Sequence, residues 1–145
     1  MMPFYAWIGI AIIGTLCAIR FWPVTAIDIA ADHGKKPNYY QSSEHEGLFD
    51  VPATTLEAAF TAWISKQPRM KEVSINRTGF FRATYVQRSL VFGFPDIISV
   101  QIKTVTPTSE SSALMCKSKF GYSDFGVNRK RVKTLLAGLR QQLGT

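Results

Sequence analysis

The sequence predicts a two-layer α+β domain of order α-β-β-β-β-α behind an amino-terminal transmembrane helix. Three observations carry this. Two segments place apolar residues at helical spacing, the four short segments between them alternate as strands do, and residues 1–19 hold no charged side chain. Short connections between consecutive strands favour an antiparallel meander, here of four strands. Two amphipathic helices then cover one face of that sheet. The chain divides into an anchor over 1–22, a linker over 23–52 and a soluble domain over 53–145.

At about 1.5 Å per residue, the uncharged run reaches roughly 28 Å as a helix, close to the thickness of a bilayer core. Tyr5 and Trp7 stand near one end, and Phe21 and Trp22 near the other, as an aromatic belt would. Arg20 would snorkel at the boundary, and Pro23 ends the helix. Membrane lipid is therefore the partner expected for 1–22. A cleaved signal peptide competes, because Val24-Thr25-Ala26 offers small residues for a peptidase. Against it, no Lys or Arg precedes the apolar run. A buried core helix is the third reading. Arg20, the one charge flanking the span, would hold the following domain in the cytoplasm by the positive-inside rule.

Residues 23–52 show no sustained period, and Gly34, Pro37, Asn38, Ser42, Ser43 and Pro52 mark turns. Glu44-His45-Glu46 invites a metal reading, but neighbours in an extended chain point to opposite sides, so no metal site is assigned. Tyr39 and Tyr40 are expected to pack the linker onto the domain or an interface.

The first domain helix is expected over 54–66. Thr54 and Glu57 make a capping-box pattern, and Leu56, Ala59, Phe60, Trp63 and Ile64 form an apolar stripe. Strands follow over 72–76, 80–88, 97–105 and 112–120, with turn signals at 76–79 and 93–96. Ile98, Val100 and Ile102 alternate with Ser99, Gln101 and Lys103. The sheet face away from the helices is then half-exposed and carries Ser99, Gln101, Lys103, Lys117 and Lys119, with Arg82, Thr84 and Arg88 in matching register. The last helix is expected from Asn128, a good N-cap type, to about Leu143, with Val132, Leu135, Leu136, Leu139 and Leu143 as its stripe.

Charge is uneven along the chain. Residues 1–65 carry three Lys/Arg against six Asp/Glu, and residues 66–145 carry fourteen against four, so −3 and +10 sum to the net +7. A basic second half suits an anionic partner, such as lipid head groups or an acidic protein face, while a merely solvated surface is the plain alternative. Cys17 and Cys116, in an apolar run and a strand, suggest neither a disulfide nor a zinc site.

The segment 118–133 joins the last strand to the last helix. It reads Ser118-Lys119-Phe120-Gly121-Tyr122-Ser123-Asp124-Phe125-Gly126-Val127-Asn128-Arg129-Lys130-Arg131-Val132-Lys133. Together with Thr84-Tyr85-Val86-Gln87-Arg88-Ser89 and Gly93-Phe94-Pro95-Asp96, it resembles the domain of unknown function 1499 (DUF1499) over about 50–143. That resemblance implies an exported, periplasmic domain tethered by a single span to the inner membrane of a Gram-negative bacterium, the opposite side from the one Arg20 favours. It implies no established reaction.

No catalytic residue and no cofactor is assigned. The domain after residue 50 has no histidine, and Asp124 is the one acid of the key segment, better suited to bonding backbone N–H groups or pairing with Arg131. Two functions stand open. The first is a membrane-anchored, non-catalytic interaction domain, an accessory or assembly subunit of a larger membrane complex, whose span could pack on other helices through Gly9, Ala11 and Gly14. The second is an anion- or lipid-head-group-binding domain using Arg88, Lys117, Lys119, Tyr122, Asn128 and Arg131, with Asp124 in the same binding segment. A pocket rather than a flat basic face would favour the second. Nucleic acid, suggested by charge alone, is disfavoured by membrane tethering.

Overall fold

Phe81, Ala83 and Tyr85 alternate with Arg82 and Thr84, and Ile98, Val100 and Ile102 alternate with Ser99 and Gln101. In the computed structural model the two patterns pair antiparallel, with Phe81 opposite Ile102, Ala83 opposite Val100 and Tyr85 opposite Ile98. One face of this pair is therefore apolar, and the helices cover it. The structure describes residues 3–27, 29, 37–43, 45–104, 110–118 and 123–145, with 110–118 described as backbone.

The elements in order are α1 (Phe4–Arg20), β1 (Tyr39–Gln41), β2 (Leu48–Phe49), α2 (Ala53–Ser65), β3 (Met70–Asn76), β4 (Phe81–Arg88), β5 (Pro95–Thr104), β6 (Glu110–Ser118) and α3 (Val127–Leu143). All strand pairs are antiparallel, and the path runs β1-β6-β5-β4-β3, with β2 also on β6. The core joins Leu56, Phe60 and Ile64 of α2 and Val132, Leu135 and Leu139 of α3 to the apolar face of β4 and β5. Each large apolar side chain removed from water there contributes about 1.5–3 kcal/mol.

Four corrections to the sequence reading follow. Among the described residues the sheet has six strands rather than four. The extra two come from the segment expected as a linker: β1 pairs Tyr39 with Lys117, and β2 pairs Leu48 with Ser111. Strands of three and two residues are too short to show alternation, so their presence is decided by the free edge of β6.

The transmembrane reading is also overturned. Among the described residues no helix is long and apolar enough to cross a membrane. Pro3 stands at the N-cap of α1 and Phe21 at its C-cap, leaving 17 residues, or roughly 25 Å at about 1.5 Å each.

The third correction concerns the far face of the sheet. Arg82, Thr84 and Arg88 do share it with Ser99 and Gln101. Yet Thr84, Ser99 and Gln101 are buried, not half-exposed. The chain after α1 crosses them: Ile29 is buried, and the Ser99 hydroxyl donates to the Ile27 carbonyl at 3.1 Å.

Finally, both expected helix caps fail. Pro52 is the N-cap of α2, so Thr54 already lies inside the helix, and Glu57 pairs with Arg77 at 2.7 Å. A reciprocal Ser–Glu box forms earlier instead, where the Ser43 N–H donates to Glu46 Oε2 at 3.0 Å and the Glu46 N–H to Ser43 Oγ at 3.2 Å. Asn128 lies within the first turn of α3, whose N-cap is Gly126 in the left-handed region at φ 81°.

Candidate functional site

The residues of the key segment come together as a structural clamp. Asp124 caps α3 from two residues before its N-cap: Oδ1 accepts the Gly126 N–H at 3.0 Å and Oδ2 the Asn128 N–H at 2.7 Å. A carboxylate at this end also complements the helix dipole. Asn128 is fully buried, donating through Nδ2 to the Asn38 carbonyl at 2.9 Å and accepting from Arg131 Nη1 at 2.6 Å. Arg131 donates through Nε to Gln87 Oε1 at 3.0 Å and through Nη2 to Asp96 Oδ2 at 2.8 Å. Its ion-pair partner is thus Asp96, not Asp124. The guanidinium ties α3, β4 and β5 together, and each of its three nitrogens already donates to a protein acceptor.

The remaining candidates separate. Lys117 is described as backbone, paired with Ile97 and Tyr39. Lys119 and Tyr122 lie outside the described residues. Arg88 lies on the opposite sheet face from Arg131, since Gln87, the Arg131 acceptor, is its neighbour in β4.

On that opposite face Arg88 builds a different site. Its Nη1 donates to the carbonyls of Ile19 at 3.2 Å and Gly93 at 3.1 Å, and its Nη2 to that of Trp22 at 2.7 Å. One guanidinium so satisfies carbonyls at the end of α1 and in the β4–β5 turn, where a cation also suits the helix dipole. Gly93 permits the approach. It holds φ +70°, and a Cβ there would stand 2.8 Å from Arg20 Cγ.

Beside this junction is a cleft of about 680 Å³. Arg20, Arg69, Lys71 and Arg88 line it as cations, and Phe21, Trp22, Pro23, Val24, Val73 and Val86 supply apolar wall. Glu72 is the carboxylate of the lining. Among the described residues neither Arg20, Arg69 nor Lys71 forms an ion pair. Arg69 is held at φ 57°, unusual for a residue with a Cβ, while its Nε donates to the Arg88 carbonyl at 3.0 Å. Burial, and then the nearby charge of Arg20, push the Arg88 guanidinium below its ordinary pKa. Like charges gathered this way against an apolar wall suit an anion with an apolar tail.

Reasoning from sequence placed Arg88 in a site and missed Arg69 and Lys71 as its neighbours. Their signal was present in the basic pair flanking Met70. What was absent was any sign that the start of β3 meets the end of α1. A second cavity, of about 500 Å³, lies against Ala26, Ile27 and Ile29 and is lined by one cation, Arg82, which stacks 3.9 Å from the Phe80 ring centroid.

Fold and cleft together define a small antiparallel α+β domain with a basic, apolar-walled recess at the foot of an apolar helix. Residues 25–139 match the family described as protein of unknown function (DUF1499), and the chain belongs to that family. Comparison with curated proteins gives no match.

Proposed function

We propose that this protein is a non-catalytic binding domain that works at a lipid surface and takes an anionic head group in the cleft at the foot of α1. The observation that carries this is the convergence of Arg20, Arg69, Lys71 and Arg88 on one apolar-walled cleft. A phosphate would meet donors from Arg20, Arg69 and Lys71, with Arg88, already bonded to three carbonyls, adding its charge, and the acyl tail of the lipid would continue along Phe21 and Trp22. An apolar medium next to α1 is supported by the helix itself, none of whose residues is buried.

The test is calorimetric titration of the full chain in neutral-detergent micelles with short-chain phosphatidylglycerol, short-chain phosphatidylcholine and inorganic phosphate. Saturable binding of the anionic lipid alone is expected. A cation near an anionic lipid surface is worth about 1 kcal/mol, so the Arg69→Gln, Lys71→Gln double variant should weaken binding roughly tenfold to thirtyfold. Equal binding of phosphate would make this a free-anion site, and equal binding of both lipids would remove the head-group reading.

A second reading, an accessory subunit, is favoured by the open surface of α1. A Cβ added at Gly9 or Gly14 would meet nothing within 4 Å, which leaves room for a close helix partner. Mild-detergent extraction and size separation test it. Co-migration with one large assembly, lost when α1 is exchanged for an unrelated apolar helix, supports it, and migration alone rejects it.

A further inference from the structure

The turn between β4 and β5 carries an apolar surface that the domain leaves open. Leu90 and Val91 are 71% and 72% exposed, Phe92 47% and Phe94 37%. Turn tips ordinarily carry Gly, Asn, Asp or Ser, and single exposed apolar residues need no explanation, but a contiguous group does. The tip is well built. The Ser89 N–H donates to the Phe94 carbonyl at 3.0 Å, the Gly93 N–H to the Ser89 carbonyl at 3.2 Å, and the Phe94 N–H to Ser89 Oγ at 2.9 Å. The rings of Phe92 and Phe94 lie 5.7 Å apart, centroid to centroid.

The same turn is joined to the end of α1. Arg88 bonds the carbonyls of Gly93, Ile19 and Trp22 at once, and Gly93 packs on Arg20. At that corner Phe21 is 78% and Trp22 43% exposed. The apolar surface of the turn therefore continues into that of α1, with Arg20 between them.

We infer that the 90–94 turn is a second lipid-contacting element, entering the head-group layer of an anionic bilayer beside the end of α1. This rests on the lipid association proposed above. The occupant follows from the surroundings. Apolar side chains at the tip, an indole beside them, and Arg20, Arg69 and Lys71 on the adjoining cleft make the ordered apolar, interfacial and cationic arrangement that a bilayer edge matches. Two anchoring points at one corner fix the depth of the domain, and they set the cleft cations at the level of the lipid phosphates.

The test uses the full chain with Cys17→Ser and Cys116→Ala, and Val91→Cys labelled with an environment-sensitive fluorophore. The protein is reconstituted into phosphatidylcholine bilayers with and without phosphatidylglycerol. Gln141→Cys is the control, because α3 starts beside Asp96 and ends where Arg140 bonds the Glu46 carbonyl, at the far end of the sheet. The probe at 91 should be quenched several-fold more by acyl-brominated lipid, and several-fold less by iodide, than the probe at 141. Equal iodide access at 91 and 141 overturns the inference. Should the cysteine substitutions unfold the domain, broadening of the Leu90 and Val91 methyl signals by paramagnetic lipid in the unsubstituted chain gives the same readout. A shielded tip with no preference for anionic lipid in the titration keeps the turn and overturns the head-group cleft; an exposed tip with that preference does the reverse.

Discussion

Arg131 Nη2 lies 2.8 Å from Asp96 Oδ2, and the two side chains keep only 18% and 15% of their exposure. This pair fastens the N-terminal part of α3 to the start of β5, with Gln87 and Asn128 also accepting from the guanidinium. Removing one member of a buried pair leaves the other charged and unpaired, which costs about 3–5 kcal/mol when burial is complete. With some solvent access here, Arg131→Met should cost about 2 kcal/mol. Urea unfolding of Arg131→Met, Asp96→Asn and the double variant measures it. The double variant should be less destabilised than the sum of the singles, and strict additivity would show that the pair is not coupled.

Arg88 acts on the other side of the sheet and has a different signature. Its two terminal nitrogens reach three carbonyls, at Ile19, Gly93 and Trp22, a geometry that an ammonium group cannot copy. Both Arg88→Lys and Arg88→Ala should loosen α1 from the domain while leaving β3–β6 folded. Limited trypsin cleavage after Arg20 should accelerate several-fold in both variants, with little change in the unfolding midpoint of the domain. Unchanged cleavage would mean that α1 is held by other contacts.

The strands legible in the sequence were those whose alternation spans enough residues to register. Ile98, Val100 and Ile102 against Ser99 and Gln101 gave the face of β5 correctly, and matching Arg82, Thr84 and Arg88 to them gave β4. Tyr39–Gln41 and Leu48–Phe49 are too short to show any period, and they pair because β6 offers an edge. The covering of Thr84, Ser99 and Gln101 was equally hidden, because it depends on where a chain of no fixed period runs after α1. For the site, the dense motif around Asp124 and Arg131 drew attention by composition, yet its polar groups face one another. The cleft cations come from three places in the sequence, 20, 69–71 and 88, and only the meeting of the end of α1 with Arg88, beside the start of β3, assembles them.

Glu46 gives the domain an acid-sensitive contact. Its carboxylate accepts the Ser43 N–H at 3.0 Å and the Tyr40 hydroxyl at 3.1 Å, and the first of these bonds is the main cause of a pKa held below the ordinary glutamate value of 4.5. With a lower folded pKa, the unfolded chain takes up the proton more readily at this residue. The contribution is therefore present above pH 4.5 and is lost as pH falls through the folded value. Unfolding midpoints measured from pH 7 down to about pH 3 should fall less steeply for Glu46→Gln than for the unsubstituted chain. Parallel curves would mean that the carboxylate makes no net difference between folded and unfolded states.

Gly138 sits where α3 meets α2, and its lack of a side chain is used by packing. A Cβ added there would collide with Trp63 Nε1 and come within 3.0 Å of Trp63 Cδ1. Helix propensity alone predicts that Gly138→Ala stabilises α3 by about 1 kcal/mol. The indole, however, is a rigid plane packed against the core, so it or α3 must shift to admit a methyl group. Overpacking of this kind costs about 1–3 kcal/mol, so the collision should win and the variant should lose about 1 kcal/mol net. Replacing the indole separates the two effects. In a Trp63→Leu background the obstruction is smaller, and Gly138→Ala should there become neutral or stabilising, as propensity requires. Thermal unfolding of the four chains, wild type, each single variant and the double, decides it. A Gly138→Ala chain as stable as wild type with Trp63 intact would show that α2 and α3 can slide apart at little cost, and that their close approach is not what fixes the helix layer on the sheet.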